Sequence, residues 1–81
     1  MEEYRAEFMI EPFTEGSPGP PVLAGIDAVR GQGLNPEVGA FGTTIVGEPG
    51  RVAEALRYMV DAAMDAGATR VTVQIDRPDE S

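Results

Sequence analysis

In 81 residues the chain has no cysteine, no histidine, no lysine and no tryptophan. Without cysteine no disulfide can brace the fold, and no thiolate can serve as nucleophile or metal ligand. Without histidine as well, the usual nucleophilic triads and zinc sites are excluded. The missing lysine removes the side chain that usually assists a phosphate-binding glycine loop. No apolar run approaches the ~20 residues needed to span a bilayer. The opening "MEEYR" lacks the charged-then-apolar pattern of a secretory leader. A cytoplasmic protein is the expectation.

Positive charge is also scarce. Six arginines face fourteen acidic residues, for a net charge of −8. Such a surface repels phosphodiester backbones and anionic lipid, so neither nucleic acid nor membrane is expected as a partner, whereas cationic small molecules are tolerated or attracted. Much of the acidity serves solubility. A single domain spanning 1–81 is expected, with 4–76 as its ordered core and 77–81 as a polar tail. A domain this small buries only about 60–65% of its unfolded surface. Self-association is therefore the expected source of further stabilisation.

What is present is periodic. In "YRAEFMIEPF", Ala6, Phe8 and Ile10 share one strand face and Arg5, Glu7, Met9 and Glu11 the other, until Pro12 ends the pairing. "TEGSPGPP" reads as a loop whose prolines can start a helix. The helix that follows is expected to bury Val22, Leu23, Ile26 and Val29, with Gly25 weakening it and Gly31 and Gly33 offering a stop. "LNPEVGAFGTTIVGE" reads as strand, reversal, strand, with Pro36 restricted to the start of its strand or to a sheet edge.

"PGRVAEALRYMVDAAMDAGA" is the strongest helix. Its expected apolar stripe is Val52, Leu56, Met59, Val60 and Ala63, with Arg57 and Asp61 spaced to pair. Glu48 and Pro49 suit its start and Gly67 its left-handed stop. In "TRVTVQI", Val71, Val73 and Ile75 alternate with Arg70, Thr72 and Gln74.

Strand, helix, strand, strand, helix, strand predicts an α+β, ferredoxin-like βαββαβ sandwich, with a four-stranded antiparallel sheet and both helices on one face. The first and fourth strands are then neighbours, and Val71 and Ile75 are expected to meet the helices. The opposite face is left to water or to a partner.

The glycine-dense stretch "EVGAFGTTIVGEPG" raises three uses: cradling a phosphate, clamping a nucleic-acid backbone, or reversing the chain. A nucleotide loop opens onto a helix, whereas Gly39 and Gly42 lead into the strand-like "TTIV". A backbone-gripping "GAFG" loop needs basic neighbours, and none are near. Strand reversal remains. RNA binding on this fold also uses aromatic rings on the open face, where the outer strands here carry Glu7, Met9, Thr72 and Gln74. Carboxylate pairs such as Glu7 and Glu11, on one strand face, have conceivable metal or acid–base use, with solvated or interface-paired carboxylates as the ordinary reading. No enzymatic activity is expected, and no cofactor is required.

Three pieces, "AEFMIEP" with a glycine-serine soon after, "EVGAFGTTIVGE", and "AGATRV" before the last strand, together resemble the thiamine-binding (YkoF-like) proteins. The resemblance covers nearly the whole chain and is sharpest at Gly42-Thr43-Thr44 and Gly47-Glu48. It implies a ferredoxin-like fold, assembly into homodimers or homotetramers through sheet faces or edges, and binding of thiamine or its hydroxymethylpyrimidine precursor. Thiamine carries a permanent thiazolium cation and an aminopyrimidine donor, which suit acidic and hydroxyl side chains. The resemblance places Thr43 and Thr44 as hydrogen-bonding partners of the pyrimidine and Glu37 as acceptor for its amino group. It places Phe41 as a ring able to stack, and Met9 and Glu11 as walls of the pocket. The function expected is carriage or sensing of that ligand without catalysis. The alternative is a ligand-free, homo-oligomeric assembly or regulatory module.

Overall fold

The computed structural model describes residues 2–12, 18–40 and 42–78. Its elements are β1 (Tyr4–Glu11), α1 (Pro20–Gly31), β2 (Glu37–Val38), β3 (Thr43–Gly47), α2 (Pro49–Asp65) and β4 (Arg70–Asp76). The strands form one antiparallel sheet in the order β2-β3-β1-β4, with both helices against one face, the ferredoxin-like arrangement that the element order predicts. Parts of the segments read as loop and tail, 13–17 and 79–81, lie outside the described residues.

Alternation decides which face of β1 is buried. Ala6, Phe8 and Ile10 are buried, while Arg5, Glu7 and Met9 are exposed on the other side. Helix α2 contributes Val52, Ala55, Leu56, Met59 and Ala63 to this core, α1 contributes Val29, and β3 contributes Ile45. The stripe on α2 is therefore turned slightly from the expected one. Ala55 replaces Val60, which is exposed, because the buried face of α2 centres on Val52, Met59 and Ala63, and Val60 lies at its margin. On α1 the buried positions are Pro21, Gly25, Ile26 and Val29, so Leu23, expected inside, is 51% exposed. Arg57 pairs with Glu54 at 3.6 Å and sits over the Tyr58 ring, rather than reaching Asp61.

Both ends of α2 are closed by local chemistry. The Glu48 carboxylate accepts from the backbone N–H of Gly50 at 3.0 Å and of Arg51 at 3.2 Å, while Pro49 occupies the first turn. At the other end Ala68 N–H donates to the Ala63 carbonyl at 2.9 Å, and Gly67 N–H donates to that of Met64 at 3.1 Å. This is a Schellman closure, and the φ of 107° at Gly67 explains the glycine there.

β2 is shorter than its sequence promised: only Glu37 and Val38 pair. Pro36, just before them, has no N–H to extend the ladder. On the far side, Gly39 N–H already closes the reversal onto the Gly42 carbonyl at 2.8 Å. β4 holds the other surprise. Val71 packs partly on the core, but Val73 is 36% and Ile75 53% exposed, although they face the helix side opposite Phe8 and Ala6. As the edge strand, β4 extends beyond the helices' cover.

Gly25 explains itself by closeness. A Cβ there would press into the Ile10 Cδ1 atom and lie 3.3 Å from Met59 Cγ, in a place where both side chains are buried. Alanine gains roughly 1 kcal/mol of helix preference over glycine, while overpacking costs typically about 1–3 kcal/mol. Gly25→Ala is expected to lower stability by about 1 kcal/mol net, read from the urea midpoint. A raised midpoint would mean that Ile10 and Met59 give way freely. Glu48→Ala should cost about 0.5–2 kcal/mol through the lost cap; an unchanged midpoint would refute that role.

Candidate functional site

Residues directly opposite one another in antiparallel strands share a face, so the register assembles the open side of the sheet row by row. One row runs Glu37, Thr44, Glu7, Gln74 across β2, β3, β1 and β4. The next runs Val46, Arg5, Asp76 across β3, β1 and β4. With Asn35 from the approach to β2, these two rows line a hollow of about 720 Å³.

The charges in that hollow are not balanced. Arg5 donates through Nε to Asp76 Oδ1 at 2.8 Å and through Nη2 to Oδ2 at 3.0 Å. Those hydrogen bonds, and next the Asp76 charge, raise the Arg5 guanidinium above its ordinary pKa, with a smaller contribution from Glu7. Farther along the face, Arg70 Nε donates to Glu11 Oε2 at 2.6 Å, which raises Arg70 in the same way. Each arginine of this face is thus matched by one carboxylate. Glu7 and Glu37 are left without an ion-pair partner among the described residues.

Two negative charges therefore flank the Thr44 hydroxyl. Their backbones sit two strand spacings apart, roughly 10 Å. No cluster of three or more acidic, histidine or cysteine side chains able to hold a metal occurs among the described residues.

The residues singled out from the sequence divide sharply. Thr44 and Glu37 line the hollow together. Thr43 does not join them: it points to the helix side, opposite Phe8, and is 5% exposed. Met9 and Glu11 share the open face but lie in the rows opposite Thr72 and Arg70, away from the hollow, and Glu11 is engaged by Arg70. Phe41 lies outside the described residues. Spacing along β1 groups Glu7 with Glu11, which is the wrong pair. The partner of Glu7 across Thr44 is Glu37, a relation set by register and not by spacing along one strand. Gln74 is legible in the sequence as a polar residue of the open face and Asn35 only as a polar residue beside a strand; no motif or spacing brings either to the hollow.

Gly42 belongs to this geometry. A Cβ there would lie 3.0 Å from the Phe8 carbonyl oxygen and 3.4 Å from Glu7 Cγ, so the glycine lets the β3 entrance lie close against β1 beside Glu7. The glycine-dense stretch is a chain reversal, and Thr44, the second threonine after it, is the one that lines the hollow. A second hollow, about 800 Å³, lies between the helices and is lined by Ala28, Gly31, Tyr58 and Ala62 with Asp61 and Asp65. It is a broad, shallow groove without the hydroxyl-and-carboxylate convergence of the sheet.

Among the described residues no helix is long and apolar enough to cross a membrane. Residues 6–80 match the model of a family described as thiamine-binding protein. No curated protein matches the chain. A Bacillus cereus domain of unknown function, DUF77, shares 27% identity and superposes with a TM-score of 0.69 over 94% of this chain and 74% of that one. A hypothetical protein of Methanocaldococcus jannascii is similar at 21% identity and a TM-score of 0.72, over 100% of this chain and 84% of its own. A candidate thiamine biosynthesis/salvage protein of Thermotoga maritima is similar at 20% identity and a TM-score of 0.56, over 93% and 81% of the two chains.

The two adjacent threonines provide a direct check on the site. Thr44→Val is expected to leave stability within about 0.5 kcal/mol, as surface changes usually do, while weakening any ligand held in the hollow. Thr43→Val should leave ligand binding unchanged. Parallel melting curves and titrations of both variants read this out, and the reverse pattern would move the site to the other face.

Proposed function

The chain belongs to the thiamine-binding protein family, and from that premise we propose that it binds thiamine, or its hydroxymethylpyrimidine moiety, in the hollow on the open sheet face. The supporting observation is the row in which Thr44 stands between two unpaired carboxylates, Glu7 and Glu37. In this reading the thiazolium cation is drawn by the two negative charges, and the aminopyrimidine donates to a carboxylate and to Thr44. Gln74 and Asn35 supply amide groups able to donate or accept at the ring edge.

The protein acts here as a carrier or sensor in the cytoplasm and does no chemistry on its ligand. That part of the proposal draws on the residue types in the hollow: carboxylates, amides, a hydroxyl and an arginine already held by Asp76. Self-association into a homodimer or homotetramer belongs to the same proposal. A ligand-free assembly module is the second reading, favoured by the exposed Val73 and Ile75 on β4.

Calorimetric titration with thiamine and with hydroxymethylpyrimidine separates them. Saturable heat with either compound is expected. Heats equal to dilution up to millimolar ligand would leave the assembly module standing. A unit charge about 4 Å from a carboxylate in water gains about 1 kcal/mol. Replacing both Glu7 and Glu37 by glutamine is therefore expected to weaken thiamine by about ten- to thirtyfold. Added salt should weaken the native complex in the same direction, and the neutral pyrimidine should lose less. Equal losses for both ligands would show that charge is not what the carboxylates contribute.

A further inference from the structure

All six arginines of the chain lie among the described residues, and with no lysine or histidine they are its only cationic side chains. Five of them sit in ion pairs: Arg5 with Asp76, Arg30 with Asp27, Arg57 with Glu54, Arg70 with Glu11 and Arg77 with Glu2. Arg51, the sixth, donates through Nη1 to the Gln32 carbonyl at 3.0 Å, bridging α2 to the end of α1. Helix N-termini are the other common seat for a phosphate, because their first N–H groups lack partners. In α2 those groups are already engaged. Pro49 has none, the Glu48 carboxylate accepts from Gly50 and Arg51, and the Glu48 carbonyl accepts from Val52 at 3.0 Å. In α1, Pro20 and Pro21 remove the first two donors, and Leu23 N–H bonds back to the Gly19 carbonyl at 3.1 Å.

The hollow on the open face repeats this pattern at one residue. Arg5 is the one cationic side chain that lines it, and it gives both Nε and Nη2 to the Asp76 carboxylate, at 2.8 and 3.0 Å. A guanidinium takes two oxygens of a phosphate with the same fork. The Asp76 carboxylate therefore stands where a phosphate group would have to bind. Glu7, two residues along β1 on the same face, and Glu37 across Thr44 add negative charge that no ion pair among the described residues offsets. Thiamine and hydroxymethylpyrimidine each carry a primary alcohol, the group at which a phosphate ester forms.

We propose that the Arg5–Asp76 fork makes the hollow selective for the unphosphorylated form of its ligand, by withholding the one guanidinium able to receive a phosphate while Glu7 and Glu37 repel it. The inference rests on the thiamine reading of the hollow and adds to it a direction of discrimination. Phosphorylation turns a monocation into a net anion, so the charges that attract the free alcohol reject its ester. Asp76 is then a specificity-determining residue that acts through Arg5: it fills the fork from within the chain.

Calorimetric titrations with thiamine, thiamine monophosphate and thiamine diphosphate at low ionic strength test this. Thiamine is expected to bind about tenfold or more tightly than the monophosphate, and the diphosphate no better than the monophosphate. Added salt should narrow the gap, because thiamine loses attraction while the esters lose repulsion. Asp76→Asn frees the guanidinium and is expected to shrink the gap to about threefold or less. Arg5→Gln leaves Asp76 uncompensated and is expected to widen it. Both residues are exposed, so the circular dichroism of either variant should stay near native. Saturable heat with thiamine that the monophosphate matches or exceeds overturns the selectivity and leaves the thiamine reading standing. A gap that Asp76→Asn does not change overturns the role of the fork. Absence of heat with thiamine itself removes the thiamine reading and this inference with it.

Discussion

In the middle of the sheet, β1 gives Ala6, Phe8 and Ile10 to the helices, which cover them to 3% exposure or less. Everything on the open face follows from holding that set inside. Side chains alternate along a strand, so the same commitment turns Arg5, Glu7, Met9 and Glu11 outward, and a slip of one residue would exchange the sets. β1 pairs on both sides, with β3 and with β4, and so passes its orientation to each. Thr44 and Gln74 face outward because Ile45 and Val73 face the helices. The core thus fixes the site from behind, and the site rests on strands, which hold side chains more rigidly than loops do.

Pairing of charge then decides what the open face can attract. Both arginines of the face are spent across the β1–β4 seam, one on Asp76 and one on Glu11. Had Arg5 paired instead with Glu7, the centre of the hollow would be neutral and its free carboxylates would be Glu37 and Asp76, at opposite edges. As it is, two carboxylates remain on either side of a hydroxyl, within a chain whose net charge is already −8. A cleft of one sign inside a field of the same sign concentrates counter-ions.

The sequence spoke plainly wherever a single element sufficed. Alternation gave the two faces of β1 and β4, and Glu48, Pro49 and Gly67 marked the ends of α2. The order of elements led to the sheet order. What spacing along the chain does not contain is register between strands, so Glu7 was grouped with Glu11 on its own strand when its neighbours across the sheet are Thr44 and Gln74. Adjacent threonines illustrate the same limit. Thr43 and Thr44 read alike in composition, but the pleat sends one into the core and the other to the hollow. Coverage was also hidden: Val71, Val73 and Ile75 are equivalent by pattern, and only the placement of the helices leaves the last two bare.

Two unpaired carboxylates make the Glu7–Thr44–Glu37 row costly to desolvate against any acidic surface, so what covers it must be water or a group that compensates its charge. Gln74 stands between Glu7 and the outer edge of β4, so one wall of the hollow rests on the strand that the helices cover least. A domain of this size has little stability to spare, and the firmness of that wall comes from the unbroken register of β4 with β1 rather than from burial of Val73 and Ile75.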